Sequence, residues 1–478
     1  MTADEFRRFG YAAVDWVAGY WERLGGLPVT PAVKPGDVAA QLPATPPVAG
    51  EDFAEMLADL DRIVVPGTTH WQHPGHFAYF PANTSGPSVL ADLICAGLGT
   101  QGMLWATGPA CTEVETVMMD WLADLLALPD RFRSATGGGG VIQDSASSAT
   151  LVATLAALHR ASGGRWRTDG VGTGRYAIYT STQGHSSIEK AARIAGLGDS
   201  AVRAIDVDPV TLALDPDALR QALAADRAAG ITPALVVATV GTTSTTAIDP
   251  LPAIGPLCRE YGAWLHVDAA YAGAAAACPE LRWIHDGLEH ADSYCFDPHK
   301  WLLTGFDCDA FWVADTAELV RALTVLPEYL RNAATESGAV VDYRDWQVPL
   351  GRRFRALKLW FVLRWYGVEG VREHIRTGVR LAGRFAAAVR ADDRFEVVTA
   401  HPLSLVCFRL DADDSTADSV NEGLLRAVNA TGRCLLTHTK VNGRYVLRLA
   451  IGAPATREEH VDEAWRVIRA AATTATAR

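Results

Sequence analysis

No two of the eight cysteines form a CxxC pair; they fall at positions 95, 111, 258, 278, 295, 308, 407 and 434. That scatter excludes a zinc ribbon and offers no disulfide framework, so the thiols are expected to be reduced and packed. Basic residues are in deficit, with 43 Lys and Arg against 55 Asp and Glu and a formal charge of -12. No basic cluster interleaved with aromatics offsets this balance, which argues against a nucleic-acid surface and for small molecules or a second copy of the chain as partners. Apolar runs stay short of the ~18 residues a membrane span needs. The opening Met1-Thr2-Ala3-Asp4-Glu5-Phe6 holds no basic segment followed by an apolar run, so a cytoplasmic protein is expected. Internal repeats and low-complexity stretches are lacking too.

What is present is a long globular chain: 478 residues, 49% hydrophobic and 21% charged, enough for two or three domains. Phe6, Phe9, Ala13, Val17, Tyr20 and Trp21 recur at spacings near three and four, which predicts an amphipathic helix over residues 6–21. Its apolar stripe fits docking on its own domain or packing against a second subunit. Residues 28–47, rich in Pro, Val, Thr and Ala, read as an extended linker, and a helical stretch follows over 52–63. The division expected is an N-terminal helical segment over residues 1–85, a large domain over 86–364 and a small α+β domain over 365–478.

Within the large domain, residues 175–180, 234–240 and 263–268 are short apolar runs, each leading into a helical segment. Such strands imply a mainly parallel sheet covered on both faces, an α/β architecture whose ligands bind beyond the carboxyl ends of the strands. Asp268, Thr242 and Thr243 should therefore open onto one crevice. Ser145-Ala146-Ser147-Ser148 precedes a strong helix former, and helix-terminal amides with serine hydroxyls suit an anion, although an ordinary serine cap fits the same residues. Glycines 137–140 lack the Gly-Lys-Ser/Thr ending of a nucleotide P-loop. His185 falls between a strand end and a helix, where a capping role competes with a place on the crevice. It would reach the crevice if the strand carrying Tyr179 lay beside the one ending in Asp268.

Lys300, in Asp297-Pro298-His299-Lys300-Trp301-Leu302, is set among residues that could bury it and destabilise its ammonium, freeing a nucleophilic amine for an aldehyde. Pyridoxal 5'-phosphate is such an aldehyde, and a buried carboxylate such as Asp268 would keep its ring nitrogen protonated.

Taken together, Ser145-Ala146-Ser147, His185, His266-Val267-Asp268-Ala269-Ala270-Tyr271 and Asp297-Pro298-His299-Lys300-Trp301 resemble the group II pyridoxal-phosphate-dependent decarboxylases, particularly those acting on aromatic L-amino acids. Supporting stretches are His70-Trp71 with Phe77-Ala78-Tyr79-Phe80-Pro81, the Glu113-to-Trp121 run, and Asp345-Trp346-Gln347-Val348-Pro349-Leu350-Gly351-Arg352. The resemblance covers nearly the whole chain. It implies a fold-type I pyridoxal-phosphate transferase-like large domain and a homodimer with shared active sites. Lys300 would carry the cofactor, Asp268 pair with its ring nitrogen, and His185 stack on the ring and hold the substrate carboxylate. Ala146, Ser147, Thr243 and His299 would complete the cofactor site. Asp297 departs from the asparagine common in the family, putting a phosphate contact there in question, because one anion repels another. No metal is implied.

The same resemblance places Tyr329, within a 323–341 loop, as the acid that protonates the carbon left by CO2. Aldehyde-forming relatives typically replace this tyrosine or the stacking histidine; both are retained here, which favours simple decarboxylation. An aldehyde synthase and a silent cofactor-binding dimer remain the alternatives. Trp71, Tyr79, Phe80 and Pro81 resemble the aromatic-ring pocket of the family, with Ala82 nearby and Gln101 and Met103 expected from the partner subunit. That wall suits a flat apolar side chain and offers no cation to an acidic one. Gly351 stands where relatives acting on indolic substrates carry glycine, leaving room for a bicyclic ring, so the resemblance favours tryptophan or 5-hydroxytryptophan, with phenylalanine, tyrosine and DOPA open.

Overall fold

The computed structural model describes residues 1–325, 330, 332–400 and 403–475. Its chain forms two compact units, one of Met1–Pro81 with Arg384–Glu396 and Phe408–Arg478, the other of Ala82–Gly383 with Val397–Cys407. Among the described residues no helix is long and apolar enough to cross a membrane.

The second unit is organised by a seven-stranded sheet. Its strands are β1 (Gly139–Gln143), β2 (Tyr176–Ser181), β3 (Val202–Ile205), β4 (Thr232–Thr239), β5 (Trp264–Asp268), β6 (Ser293–Phe296) and β7 (Asp309–Val313). Their order is β1-β7-β6-β5-β4-β2-β3. β7 runs antiparallel to both β1 and β6, whereas the other pairings are parallel. The apolar runs read from the sequence are β2, β4 and β5, and β4 and β5 are buried almost throughout, as covered parallel strands must be. β4 lies between β2 and β5, so the strand carrying Tyr179 is not beside the one ending in Asp268; sequence order does not fix strand order.

One face of the sheet carries the helix Ala146–Ala161, whose Ala149, Val152, Ala153 and Ala156 pack on Val141, Leu235, Val237, Trp264, Cys295, Phe311 and Val313. Small alanines let the helix approach closely, and a large-to-small change at Phe311 would cost about 3–5 kcal/mol. Side chains alternate along a strand, so Asp268 shares this face with Trp264, and Asp309 shares it with Phe311 and Val313. The helix Leu251–Tyr261 ends at Gly262, whose φ of 71° supplies the left-handed residue that turns the chain into β5.

In the first unit the helix Ala3–Arg23 starts at a capping box between Thr2 and Glu5. Its Phe9 stacks on Phe53, with centroids 4.8 Å apart, and its Tyr20 hydroxyl lies 2.8 Å from His70 Nδ1. No residue of this helix is buried, and Phe6 and Tyr11 stay 58% and 67% exposed. A four-stranded sheet completes the fold, with β8 (Phe395–Val397), β9 (Leu405–Leu410), β10 (Thr437–Val441) and β11 (Arg444–Ala450) in the order β10-β11-β9-β8. The β10-β11 hairpin turns on Asn442-Gly443, both at positive φ, a pair suited to a tight turn.

Candidate active site

β5 and β6 deliver the centre of the site from adjacent carboxyl ends. β5 ends in Asp268, which is 4% exposed and accepts the Ala270 amide at 3.0 Å through Oδ1. β6 leads through Asp297 into the short helix Pro298–Trp301 that carries Lys300. Lys300 Nζ lies 2.6 Å from Asp297 Oδ2, while 29% of the lysine side chain remains accessible, so it lines an open cleft rather than filling packed core.

Burial alone would lower the Lys300 ammonium, but the Asp297 charge and hydrogen bond, then Asp268 and Asp309, outweigh it and hold the proton more tightly than on a free lysine. This reverses the expectation of a destabilised ammonium, because the sequence does not show how many carboxyls converge on it. Burial raises Asp268 above the usual carboxylate range, although the Ala270 amide, Lys300 and His185 pull it back. No cation pairs with Asp268 within 4 Å among the described residues. Burial also opposes charge on Asp297, yet Lys300 and His299 hold its carboxyl below the usual range.

His185 sits in the turn between β2 and the helix Ser187–Ile194 and is exposed. Its Nδ1 accepts the Ser187 amide at 3.2 Å and lies 2.9 Å from the Ser187 hydroxyl. An amide can only donate, so the proton of the neutral ring resides on Nε2. Ser145 caps the helix Ala146–Ala161, its hydroxyl accepting from the Ser148 amide. The Ala146 amide donates to Asp297 Oδ1 at 3.2 Å, so one amide of that terminus already faces an anion. Ser147 is exposed, and neither its amide nor its hydroxyl finds a hydrogen-bond partner among the described residues. Thr243 is exposed in the turn after β4, beside buried Thr242.

His299 is buried, accepts the Cys308 amide at 3.0 Å through Nδ1 and turns Nε2 toward Asp297 Oδ1, 3.7 Å away. Sequence reasoning missed what fixes this turn. The Asn83 amide donates to the His299 carbonyl at 2.6 Å, Asn83 Oδ1 accepts from the Leu303 amide at 3.0 Å, and the Ser85 hydroxyl donates to the Leu303 carbonyl at 2.6 Å. Tyr271 stacks on Trp301 at 4.9 Å. It also missed Asp309; a polar residue opening a strand carries no motif.

Of the expected substrate wall, the first unit groups Trp71 and Tyr79, stacked at 5.5 Å and both exposed, with Phe80 and Pro81 buried alongside in sequence. The Arg448 guanidinium lies 5.5 Å from the Phe80 ring. In the second unit Gln101 accepts the Arg352 amide at 2.6 Å, and a Cβ on Gly351 would stand 3.2 Å from Gln101 Nε2. The Met103 carbonyl accepts the Arg344 amide at 3.1 Å. Gln101 and Gly351 thus form one patch within a single chain and enter any shared site together. Ala82 is half-buried. Tyr329 lies outside the described residues.

A buried carboxyl without a cation, a lysine in an open cleft one strand away, and an exposed helix-terminal serine suit a pyridinium, an aldehyde and a phosphate respectively. Fold and donor set therefore define a pyridoxal-phosphate-dependent enzyme of fold type I. More narrowly, the chain belongs to the pyridoxal-dependent decarboxylases, whose conserved domain matches residues 35–411. It is 44% identical to the phenylacetaldehyde synthase of Arabidopsis thaliana, covering 98% of this chain and 96% of that protein. Identity to the aromatic-L-amino-acid decarboxylase of Rattus norvegicus is 46%, covering 98% of each. The solved structure of Oryza sativa TDC with PLP and tryptamine superposes with a TM-score of 0.97 at 43% identity, covering 99% of both chains.

Proposed function

We propose that this chain converts aromatic L-amino acids into the corresponding arylalkylamines and CO2, with tryptophan and 5-hydroxytryptophan favoured over phenylalanine, tyrosine and DOPA. The observation that carries the reading is the Asp268–Lys300 arrangement: a buried carboxyl lacking a cation, on the strand next to the one that delivers the lysine. Bound there, pyridoxal phosphate supplies an electron sink for the pair released as CO2 departs.

Lys300 provides the amine that anchors the aldehyde. Asp268 keeps a proton on the ring nitrogen, and that cationic partner in turn relieves the burial cost of the carboxylate. His185, with Nε2–H free, covers the ring and orients the substrate carboxylate. Ser147 holds the phosphate at the helix terminus, next to the Ala146 amide that Asp297 engages, with Thr243 and His299 nearby. Tyr329 donates the proton that replaces CO2 at the substrate carbon.

Identities of 44% and 46% to an aldehyde synthase and a decarboxylase do not separate the two reactions, so Tyr329 and His185 support the amine outcome. Gly351, open except for the Gln101 side-chain end, supports the indole preference. A homodimer is part of the proposal. Besides Phe6 and Tyr11 in the first unit, the helix Gly86–Leu98 in the second leaves Leu90, Leu93, Ile94 and Leu98 exposed, apolar side chains that a second copy of the chain would cover. Seven of eight free cysteines are buried, in keeping with a reducing, cytoplasmic setting.

The test is product analysis by mass spectrometry after incubating cofactor-loaded protein with equal tryptophan, 5-hydroxytryptophan, phenylalanine, tyrosine and DOPA. Amine and CO2, greatest from the indoles, are expected. Aldehyde with ammonia and peroxide would replace the reading by an aldehyde synthase, and no turnover of any of the five would overturn it.

A further inference from the structure

Three carboxyls face the single ammonium of Lys300. Asp268 ends β5, Asp297 follows β6 and Asp309 opens β7; they are 4%, 2% and 0% exposed. Ionised together they would leave two uncompensated negative charges on carboxyls shut off from water, which costs several kcal/mol per ion. One proton retained among them removes most of that cost, as when two carboxyls share a site.

The geometry says which carboxyl retains it. Asp297 is fully engaged as an anion, with Oδ2 on Lys300 Nζ at 2.6 Å and Oδ1 on the Ala146 amide at 3.2 Å. No amide or hydroxyl donor of the described residues reaches either oxygen of Asp309. Gln143, opposite it on β1, directs its side-chain amide to the Trp346 carbonyl at 2.9 Å instead. The β6–β7 register, which pairs Phe296 with Ala310, sets Asp297 beside Asp309 at the end of the two strands. Two carboxyls can bond only if one brings a proton, and the one without other donors is the one to bring it.

We propose that Asp309 is a positioning residue of the Lys300 site, a neutral carboxyl that donates to Asp297 and shares its charge, so that Asp297 holds Lys300 as a single, delocalised anion. Burial first, then the Asp297 charge, pushes Asp309 well above the usual carboxylate range, which agrees with a retained proton. The groups facing it are Asp297 and Lys300 around the lysine turn, Asp268 from β5, Tyr294 and Cys295 from β6, and Cys308 beside it in the chain. Asp297 and Asp268 oppose a further negative charge there, and Lys300 favours one. The pair thereby sets how tightly the lysine nitrogen keeps its proton, a tuning role that rests on Lys300 being the cofactor lysine.

Infrared spectroscopy of the full-length protein near pH 7 tests the proton directly. A protonated-carboxyl C=O band, shifted in deuterium oxide, should be present in the wild type and lost in Asp309→Asn; no band, or one that survives the substitution, overturns the proposal. The second readout is the pH titration of the visible absorbance of the lysine-bound cofactor. Asp309→Asn keeps a neutral donor and should leave the midpoint unchanged. Asp309→Val removes the donor and should raise proton affinity about tenfold, one hydrogen bond's worth. A midpoint that falls in Asp309→Asn would show that a charge had been removed, and so would overturn the proposal. If Lys300 is not the cofactor lysine, Lys300→Ala keeps the absorbance while the infrared result still stands, so the two failures are told apart.

Discussion

Arg352 and Glu115 form an ion pair in which neither side chain has exposed surface. The pair ties the Gly351-Arg352 turn to β1, since Glu115 Oε1 accepts the Ile142 amide at 2.8 Å and Arg352 Nη2 donates to the Ile142 carbonyl at 3.2 Å. Tyr343 lies under the guanidinium, 4.8 Å from ring centre to carbon. Removing one partner leaves the other charged and dry. Arg352→Met should therefore cost about 3–5 kcal/mol, read as the shift in the urea unfolding midpoint. A loss below 1 kcal/mol would mean that water reaches the remaining carboxylate.

Lys300→Ala should abolish covalent cofactor retention and turnover together. Borohydride reduction followed by peptide mass spectrometry would find no pyridoxyl adduct on the variant and one on Lys300 in the wild type. Full turnover without Lys300 would remove the basis of the mechanism.

On the proposed role of Tyr329 as proton donor, Tyr329→Phe should divert product from amine toward aldehyde, because the carbon left by CO2 would then persist long enough to meet oxygen. The amine-to-aldehyde ratio is the readout. An unchanged ratio would assign protonation to another group.

Gly351→Ser places a side chain against Gln101, whose Nε2 would lie 3.2 Å from the new Cβ. The flexible amide can yield, so folding should survive while room for a bicyclic ring shrinks. The kcat/KM ratio of tryptophan to tyrosine should fall roughly tenfold, about one to two methylenes' worth of lost fit. A constant ratio would place the ring elsewhere.

Acid should destabilise the fold before most carboxylates titrate. Burial lowers His266 to about 3, and His73, His76 and His285 each to about 4. Between pH 6.5 and 4 the unfolded chain binds these protons and the folded one does not. Stability is thus full above the ordinary histidine value and falls as pH drops, by up to about 1.4 kcal/mol per unit per histidine. Urea midpoints from pH 7.5 to 4.5 check this, and His266→Gln should flatten the slope by one proton.

Much of this site was legible because its residues sit in contiguous runs. The apolar strand 263–268 leads straight to Asp268, and Pro298-His299-Lys300 places the lysine without any tertiary knowledge. What could not be read depends on pairing. β6 is a four-residue strand of mixed polarity, and β1 starts in glycines that looked uninformative, so neither shows a period. The position of β4 between β2 and β5, and the convergence of Asp297, Asp309 and Asp268 on Lys300, arise from contacts between distant segments. The segment Asn83–Ser88 that pins the lysine turn lies more than two hundred residues upstream of it.

Because β7 runs against its neighbours, the crevice receives its first residue where the parallel strands contribute their last. Position 309 therefore belongs to no loop over the ligand, and the aromatic and glycine positions expected to shape substrate choice lie far from it in sequence. Mutation can adjust the electrostatics beneath the lysine and the fit of the amino acid along separate axes. Such a lineage could change its working pH without surrendering its choice of ring, or exchange rings while keeping its acid-base character.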